Sequence, residues 1–171
     1  MKKLLVFLAV IASGSYVAQA QKFAYVDTEY ILEKMPEYTA AQKQIEQMSS
    51  QYQSLIEAEI QKVDQLFKTY QAEKGRLTDT QRKQREDEII NKEQAAKELQ
   101  KSYFGQDGTV TKRTENIIQP IKDKVQRAID VLAEQGGYAV IFDIAAAPGF
   151  IYTHPAYDLS GKVLEKLGLN K

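Results

Sequence analysis

Side chains able to perform catalysis or hold a metal are scarce in this sequence of 171 residues. It contains one histidine, His154, and no cysteine, so a soft-metal site within one chain is not expected. No acid–base or nucleophile constellation surrounds His154, which precedes Pro155 and is interpreted as a solvated or packing side chain. The sequence therefore predicts no catalytic residue, no metal site and no cofactor.

Two further patterns resemble functional motifs but have simpler interpretations. Residues 86–88 form an acidic run, yet lysines and arginines surround it on a predicted helix, which is typical of a solvated face. Gly136 and Gly137 precede a strand rather than a helix, so they do not form a phosphate-binding loop. We therefore expect a protein that is not an enzyme.

A basic cluster in the middle of the chain is the charge pattern that points to a ligand. Residues 74–85 contain five basic residues and one acidic residue. Such a cluster is either a solvated helix end or a weak contact point for an anionic membrane surface, and both interpretations stay open. Its members are Lys74, Arg76, Arg82, Lys83 and Arg85.

Residues 1–20 have the pattern of a secretory signal peptide. Lys2 and Lys3 precede an apolar stretch, and small residues end at Ala20, after which we expect cleavage. The mature chain would carry 21 basic and 23 acidic residues, a net charge of −2, which does not favour nucleic-acid binding. Without disulfides, its stability must come from packing or self-association.

The basic cluster is predicted to lie at the tip of a helical hairpin. Pro36 and Pro120 are equidistant from a turn near residues 75–80, and we interpret them as the lower limits of a hairpin arm at residues 37–119. Apolar residues three and four apart indicate a coiled-coil seam. In the first helix they are Tyr38, Ala41, Ile45, Met48, Tyr52 and Leu55, then Ile56, Ile60, Val63, Phe67 and Tyr70.

Gly105 and Gly108 weaken the second helix of this hairpin. They lie at about the height of an irregular step in the first helix, from Met48 through Tyr52 to Ile56. This coincidence favours a flexible joint with both glycines as hinge residues. The alternative is that one glycine ends a helix and residues 105–108 form a loop.

Both ends of the chain, residues 21–36 and 120–171, are predicted to form one small β/α body. Residues 22–27, 138–143 and 150–155 indicate strands, the second buried on both faces. Short helices are expected before Pro36 and at residues 162–167, and a longer helix after Pro120 that ends at the Gly136–Gly137 pair. The fold class is therefore α+β, mostly α, with the arm inserted between the halves of the body.

The predicted strands carry more apolar surface than one small body can cover, and their open edges favour pairing with other chains. We therefore expect self-association through the strands. The candidate residues are Phe23, Tyr25, Val140, Phe142 and Ile151.

Four stretches, AYVD at 24–27, QPI at 119–121, GYAVIFD at 137–143 and PAYDLSGKVL at 155–164, resemble the periplasmic chaperones of the Skp/OmpH family. The resemblance covers the whole mature chain. It implies a jellyfish-shaped homotrimer with a barrel-like β body, whose arms enclose a cavity for unfolded outer-membrane proteins without using ATP. The best-known relatives are strongly basic, whereas this chain is not, so membrane contact is expected only at the arm tip.

On this resemblance, apolar arm residues left over from the seam would line the client cavity; the alternative for each is packing within the coiled coil. The candidates are Tyr52, Leu55, Leu66, Phe67, Tyr70 and Tyr103. The predicted function is that of a periplasmic holdase that prevents aggregation of unfolded outer-membrane proteins. The alternative is a structural spacer or adaptor of the cell envelope that binds no client.

Overall fold

The computed structural model describes residues 21–146 and 149–169, so the predicted signal peptide at residues 1–20 lies outside the described residues. The protein is mostly helical, with a two-stranded sheet and a long helical hairpin. Its elements are β1 (Lys22–Val26), α1 (Thr28–Glu33), α2 (Pro36–Glu73), a 3-10 turn (Lys74–Arg76), α3 (Asp79–Phe104), α4 (Thr109–Gly136), β2 (Tyr138–Asp143), a second 3-10 turn (Pro155–Tyr157) and α5 (Ser160–Lys166).

The two strands lie side by side and parallel, with Phe23 opposite Val140 and Val26 opposite Asp143. Parallel neighbours need a long crossover, and here the helical hairpin is that crossover. On the other edge of β1, the Leu159 N–H donates to the Tyr25 carbonyl at 2.9 Å. Segments from both ends of the chain therefore meet at β1.

A buried cluster from both ends of the chain holds the body together. Asp27 begins α1, because its carboxylate accepts a hydrogen bond from the Tyr30 N–H at 3.0 Å. Asp143 ties β2 to the same helix start by accepting the Thr28 hydroxyl at 2.7 Å. The cluster comprises Ala24, Val26, Ile31, Leu32, Met35, Ala41, Ile121, Val125, Ala128, Ile129, Leu159, Val163 and Leu164.

The predicted strand at residues 150–155 is wrong. This segment is irregular and enters a 3-10 turn, and Ile151 is fully exposed. Strand-forming residues are favoured by packing against neighbouring strands, and within the described residues this segment has no strand beside it. Burial of β2 on both faces is also wrong for a single chain, because Val140 and Phe142 are each 41% exposed.

Pro120 lies inside α4 rather than at a helix end, so its prediction as a lower limit of the helices is wrong. An interior proline costs about 3 kcal/mol, whereas each fully buried aliphatic side chain contributes roughly 1.5–3 kcal/mol. Ile121, Val125 and Ile129 are all buried just beyond it, so packing outweighs the proline. The helix ends as predicted at the glycine pair, with Gly137 left-handed at φ 63°.

Candidate functional site

Helices α2 and α3 pack along a narrow seam. Ile56, Tyr70 and Ala96 are its buried members, and Glu59, Val63 and Leu66 lie partly buried between the first two. The seam thus steps three and then four residues after Ile56, so its predicted course through Ile60 and Phe67 is wrong. Ile60 is 44% exposed and Phe67 is 50% exposed.

The charged residue Glu59 is tolerated at a seam position because the seam is narrow and its edge is exposed to solvent. The Lys62 ammonium donates a hydrogen bond to the Glu59 carboxylate at 2.6 Å. That hydrogen bond, together with the charges of Lys62 and of Lys92 on α3, lowers the pKa of Glu59 below its usual value. Glu59 therefore remains ionised at a seam position that is only partly buried.

The six candidate client-lining residues fall into two groups. Tyr52 and Tyr103 stack across the hairpin with ring centroids 4.2 Å apart. Tyr70 is buried and its hydroxyl donates to the Glu86 carboxylate, while Leu66 is partly buried. These four belong to the seam. The other two, Leu55 and Phe67, are 51% and 50% exposed.

One flank of the hairpin carries a groove of about 420 Å³ between α2 and α3. Phe67 is the one sequence-predicted client residue that lines it. The other apolar lining residues were not predicted to meet a client, because they were expected to be buried in the seam. The seven-residue spacing of Ile60 and Phe67 is the signal in the sequence that places these two on one side of the helix. The lining residues are Ile60, Val63, Asp64, Phe67, Ile89, Glu93, Ala96, Lys97 and Gln100.

The second helix of the hairpin is interrupted at mid-arm. Gly105 follows the end of α3 and Gly108 precedes the start of α4, so residues 105–108 form a loop, the alternative left open above. The Gly108 N–H donates to the Gly105 carbonyl at 2.8 Å. A Cβ on Gly108 would lie 2.5 Å from the Tyr103 carbonyl oxygen, so glycine is needed there for close approach.

The tip turn is well capped, and several of its basic residues are engaged. Thr78 and Gln81 form a capping box at the start of α3. Arg82 donates to the Leu77 carbonyl at 3.1 Å and pairs with Asp79 at 3.3 Å. Arg85 pairs with Glu88 at 3.2 Å.

The remaining basic tip residues differ in their surroundings. Lys74 lies over the Tyr70 ring, 5.6 Å from its centroid. Arg76 and Lys83 form no ion pair with the residues that the structure describes. Of the five candidates, these two cations are therefore the ones most available to an anionic surface.

A hydrogen bond from Tyr70 on α2 to Glu86 on α3 also joins the two helices just below the tip. The hydrogen bond to Glu86 raises the pKa of the Tyr70 phenol above its usual value, and burial and the negative charge of Glu86 act in the same direction. The positive charge of Arg82 opposes them. Tyr70 therefore stays protonated, as a donor must.

The body carries an exposed apolar surface beside β1 and β2. Of the candidate oligomerisation residues, Tyr25 is buried within the chain, whereas the other four are exposed, namely Phe23, Val140, Phe142 and Ile151. Phe142 and Phe150 contact edge to face at 5.5 Å. They line a cavity of about 600 Å³ whose walls also include Phe23, Tyr25, Tyr138, Tyr152 and His154.

His154 has a structural role in this surface. Its Nδ1 accepts the Ala156 N–H at 3.2 Å, and its ring contacts Tyr157 edge-on at 5.9 Å. Across residues 21–146 and 149–169, no group of three His, Asp or Glu side chains could hold a metal ion. Over the same ranges, no helix is both long and apolar enough to cross a membrane.

A long helical hairpin inserted between two parallel strands of a small body defines the class of protein to which this chain belongs. The family model described as "Outer membrane protein (OmpH-like)" matches residues 22–167. The chain therefore belongs to the OmpH-like family.

A solved structure has the same fold. The crystal structure of a proposed outer membrane chaperone (OmpH-like) from Caulobacter crescentus CB15 matches with a TM-score of 0.69 and 14% sequence identity. The match covers 90% of this chain and 88% of that one. No curated protein matches the sequence significantly.

Proposed function

We propose that this protein is a periplasmic holdase chaperone that works as a homotrimer, without ATP, and keeps unfolded outer-membrane proteins from aggregating. The observation that carries the proposal is the exposure of large apolar side chains on an otherwise charged arm, among them Ile60 and Phe67. Membership of the OmpH-like family and the chaperone description of the Caulobacter protein support it.

The chemistry of the expected clients suits such an arm. Strands of outer-membrane barrels alternate apolar and polar residues, so the unfolded chains aggregate through many small apolar patches. Scattered partly exposed residues bind each patch weakly. Three arms around one cavity add these contacts by avidity, so that a client is held soluble but remains releasable.

The body would form the trimer. Exposed Phe23, Val140 and Phe142 lie on or beside strands, and a neighbouring copy would cover them while pairing with an open strand edge. A barrel-like assembly of this kind would also give the segment at residues 150–155 a strand beside which to pack. Light scattering at micromolar concentration is expected to give the mass of three chains, and a stable monomer would contradict this part of the proposal.

Two further roles follow on the same proposal. The loop at residues 105–108 would act as a joint that lets the arm adapt to clients of different size, with Gly105 and Gly108 as its hinge. Arg76 and Lys83 would give the tip a weak, salt-sensitive contact with anionic membranes. Cleavage after Ala20 would release the mature chain into the periplasm.

The direct test is suppression of aggregation. An unfolded outer-membrane barrel protein in urea is diluted into buffer with the mature protein in substoichiometric trimer amounts, and turbidity is followed. The expected result is a soluble client, with lysozyme at equal mass as a control that leaves the turbidity unchanged. Turbidity equal to that of the control would favour the spacer or adaptor instead.

A further inference from the structure

The two flanks of the arm differ in what surrounds their exposed apolar residues. Leu55 and Phe67 lie on α2 and are 51% and 50% exposed. At about 100° of rotation per residue, they lie about 60° to either side of the buried Tyr70. Phe67 lines the groove between α2 and α3, whereas Leu55 does not.

A second surface of α3, outside the groove, is polar. No large apolar side chain is among the residues that line it, which include Gln84, Asp87, Glu88 and Lys92. Ile60 and Phe67 lie together with Ile89 along the groove, and we name this side of the arm the groove flank. The exposed Leu55 and Ile90 do not line the groove.

We propose that the groove flank is the client-contacting face of the arm, and that its groove holds apolar side chains from one extended segment of an unfolded outer-membrane β-strand. This inference rests on the proposed function and adds to it a face of the arm and a chemically defined occupant.

The size of the groove favours such a segment over a folded partner. Its volume of about 420 Å³ lies at the lower end of roughly 300–1,000 Å³, the usual range for pockets that hold small ligands. The nine residues that line it are also fewer than the roughly 20–30 residues that each side of a stable interface between folded proteins contains. Side chains on one face of an extended strand can enter the groove while the other face stays in water.

The rim of the groove suits an extended backbone. An unfolded strand brings unpaired N–H and C=O groups, each of which needs a partner when water is displaced. Lys97 and Gln100 can donate hydrogen bonds, and Asp64 and Glu93 can accept them. The helix backbones are bonded internally, so binding depends on side chains and tolerates many client sequences.

The ion pair at this rim contributes to release. Lys97 and Glu93 are one turn apart and pair at 2.7 Å, with 66% and 53% of their side chains exposed. Exposed pairs of this kind are weak, so the two side chains can exchange between each other and the client backbone at little cost. The groove therefore favours brief contacts over a single tight complex.

The natural absence of cysteine permits a clean test by site-specific labelling. Phe67→Cys and Leu55→Cys, matched in helix and exposure, are each labelled with a benzophenone maleimide in the mature protein. Each is then irradiated with a small outer-membrane barrel protein diluted from urea. We expect about fivefold more client adduct from position 67 than from position 55, the ratio given by a contact energy of about 1 kcal/mol.

The outcomes separate this inference from the proposed function. Equal yields at both positions, or adducts at neither while the unlabelled protein still suppresses aggregation, would overturn the groove flank alone. Adducts between two copies at position 67 without client would make a second copy the occupant, which also overturns it. Failure of the unlabelled protein to suppress aggregation would remove the proposed function itself.

A second pair of variants tests the groove by affinity. Phe67→Asn is expected to weaken client binding about tenfold, and Leu55→Asn less than about twofold. Both side chains are half exposed, so the far-UV circular dichroism of each variant should equal that of the parent. Similar losses from both substitutions would contradict the assignment.

Discussion

The body and the arm of this protein use apolar residues in opposite ways. In the body, residues from both ends of the chain close over a continuous core that includes fully buried Ile31 and Val163. Along the arm, buried residues are sparse, and large side chains such as Phe67 remain half exposed. The body therefore derives its stability from its own packing, whereas the arm retains apolar surface that its own fold does not use.

Under the proposed function, this difference separates assembly from capture. A surface that must assemble permanently favours a large apolar patch that a copy of the chain can bury, as around β2. A surface that must hold and release many partners favours small apolar patches among charges, as on the groove flank. The arm would lose that capacity if its seam were broad enough to bury Ile60 and Phe67.

The largest expected effect compares buried isoleucines in the two regions. Ile31→Ala removes a side chain from the body core and should lower the free energy of unfolding by about 4 kcal/mol, while Ile56→Ala in the arm seam should cost about 2 kcal/mol. The arm can close or hydrate the space, because the seam is open to water on both sides. Urea unfolding at one fixed protein concentration measures both, and equal losses would break the comparison.

The next prediction tests whether the apolar surface of the body serves assembly. Phe142→Asp places a charge in the proposed trimer interface and should yield monomers at micromolar concentration, since each buried phenylalanine contributes roughly 1.5–3 kcal/mol. Leu55→Asp, a similar exposed site on the arm, is the control and should leave the mass unchanged. Light scattering of both variants decides it. A Phe142→Asp variant that keeps the mass of the parent would place the interface elsewhere.

A third prediction concerns the loop at mid-arm. Gly108→Ala pushes a Cβ against the Tyr103 carbonyl and should destabilise the arm by about 1–3 kcal/mol. Gly75→Ala at the tip has nothing within 4 Å of the added atom and is the matched control.

Amide exchange in the parent should be faster around Gly105 than at Ile89 and Ile117. Uniform exchange along the arm would argue against a joint.

The tip should show a smaller effect that depends on salt. Replacing Arg76 and Lys83 with glutamine should reduce co-sedimentation with anionic liposomes about threefold at low salt, and the difference should fade as salt rises. Arg82→Gln with Arg85→Gln is the control, because both arginines already pair within the arm. A larger loss from the control pair would contradict the assignment.

The smallest effect is expected at Tyr70. Because Glu86 raises the pKa of Tyr70 in the folded arm, this contact stabilises fully below the usual value of 10.0 and is lost as the pH rises through the raised pKa. Tyr70→Phe should lower the Tm by about 2 °C near neutral pH. The difference from the parent should shrink above pH 10. A difference in Tm that grew with pH would contradict a stabilising contact between Glu86 and protonated Tyr70.

Local signals in the sequence predicted much of the fold. The turn signals at residues 75–80 predicted the tip of the hairpin, the apolar run predicted β2, and the Gly136–Gly137 pair predicted the end of α4. These elements follow from short-range chemistry, namely capping, strand propensity and the left-handed conformation that glycine permits.

Long-range packing decided what prediction missed. The buried positions Ile56 and Tyr70 can be joined through Ile60 and Phe67 or through Glu59 and Leu66, and counting apolar residues favours the first course. The structure takes the second, which a partner helix and a bonded Glu59 make tolerable. Likewise, residues 150–155 look like a strand, but a strand needs a neighbour, and none lies beside this segment among the residues that the structure describes.

Hydrogen–deuterium exchange with and without client tests the separation of the two regions most directly. The protein is measured alone and after mixing with an outer-membrane barrel protein diluted from urea. We expect slower exchange in arm peptides from residues 55–104, and unchanged exchange in body peptides from residues 22–35 and 121–132. Slower exchange confined to the body peptides, with the arm unchanged, would contradict it.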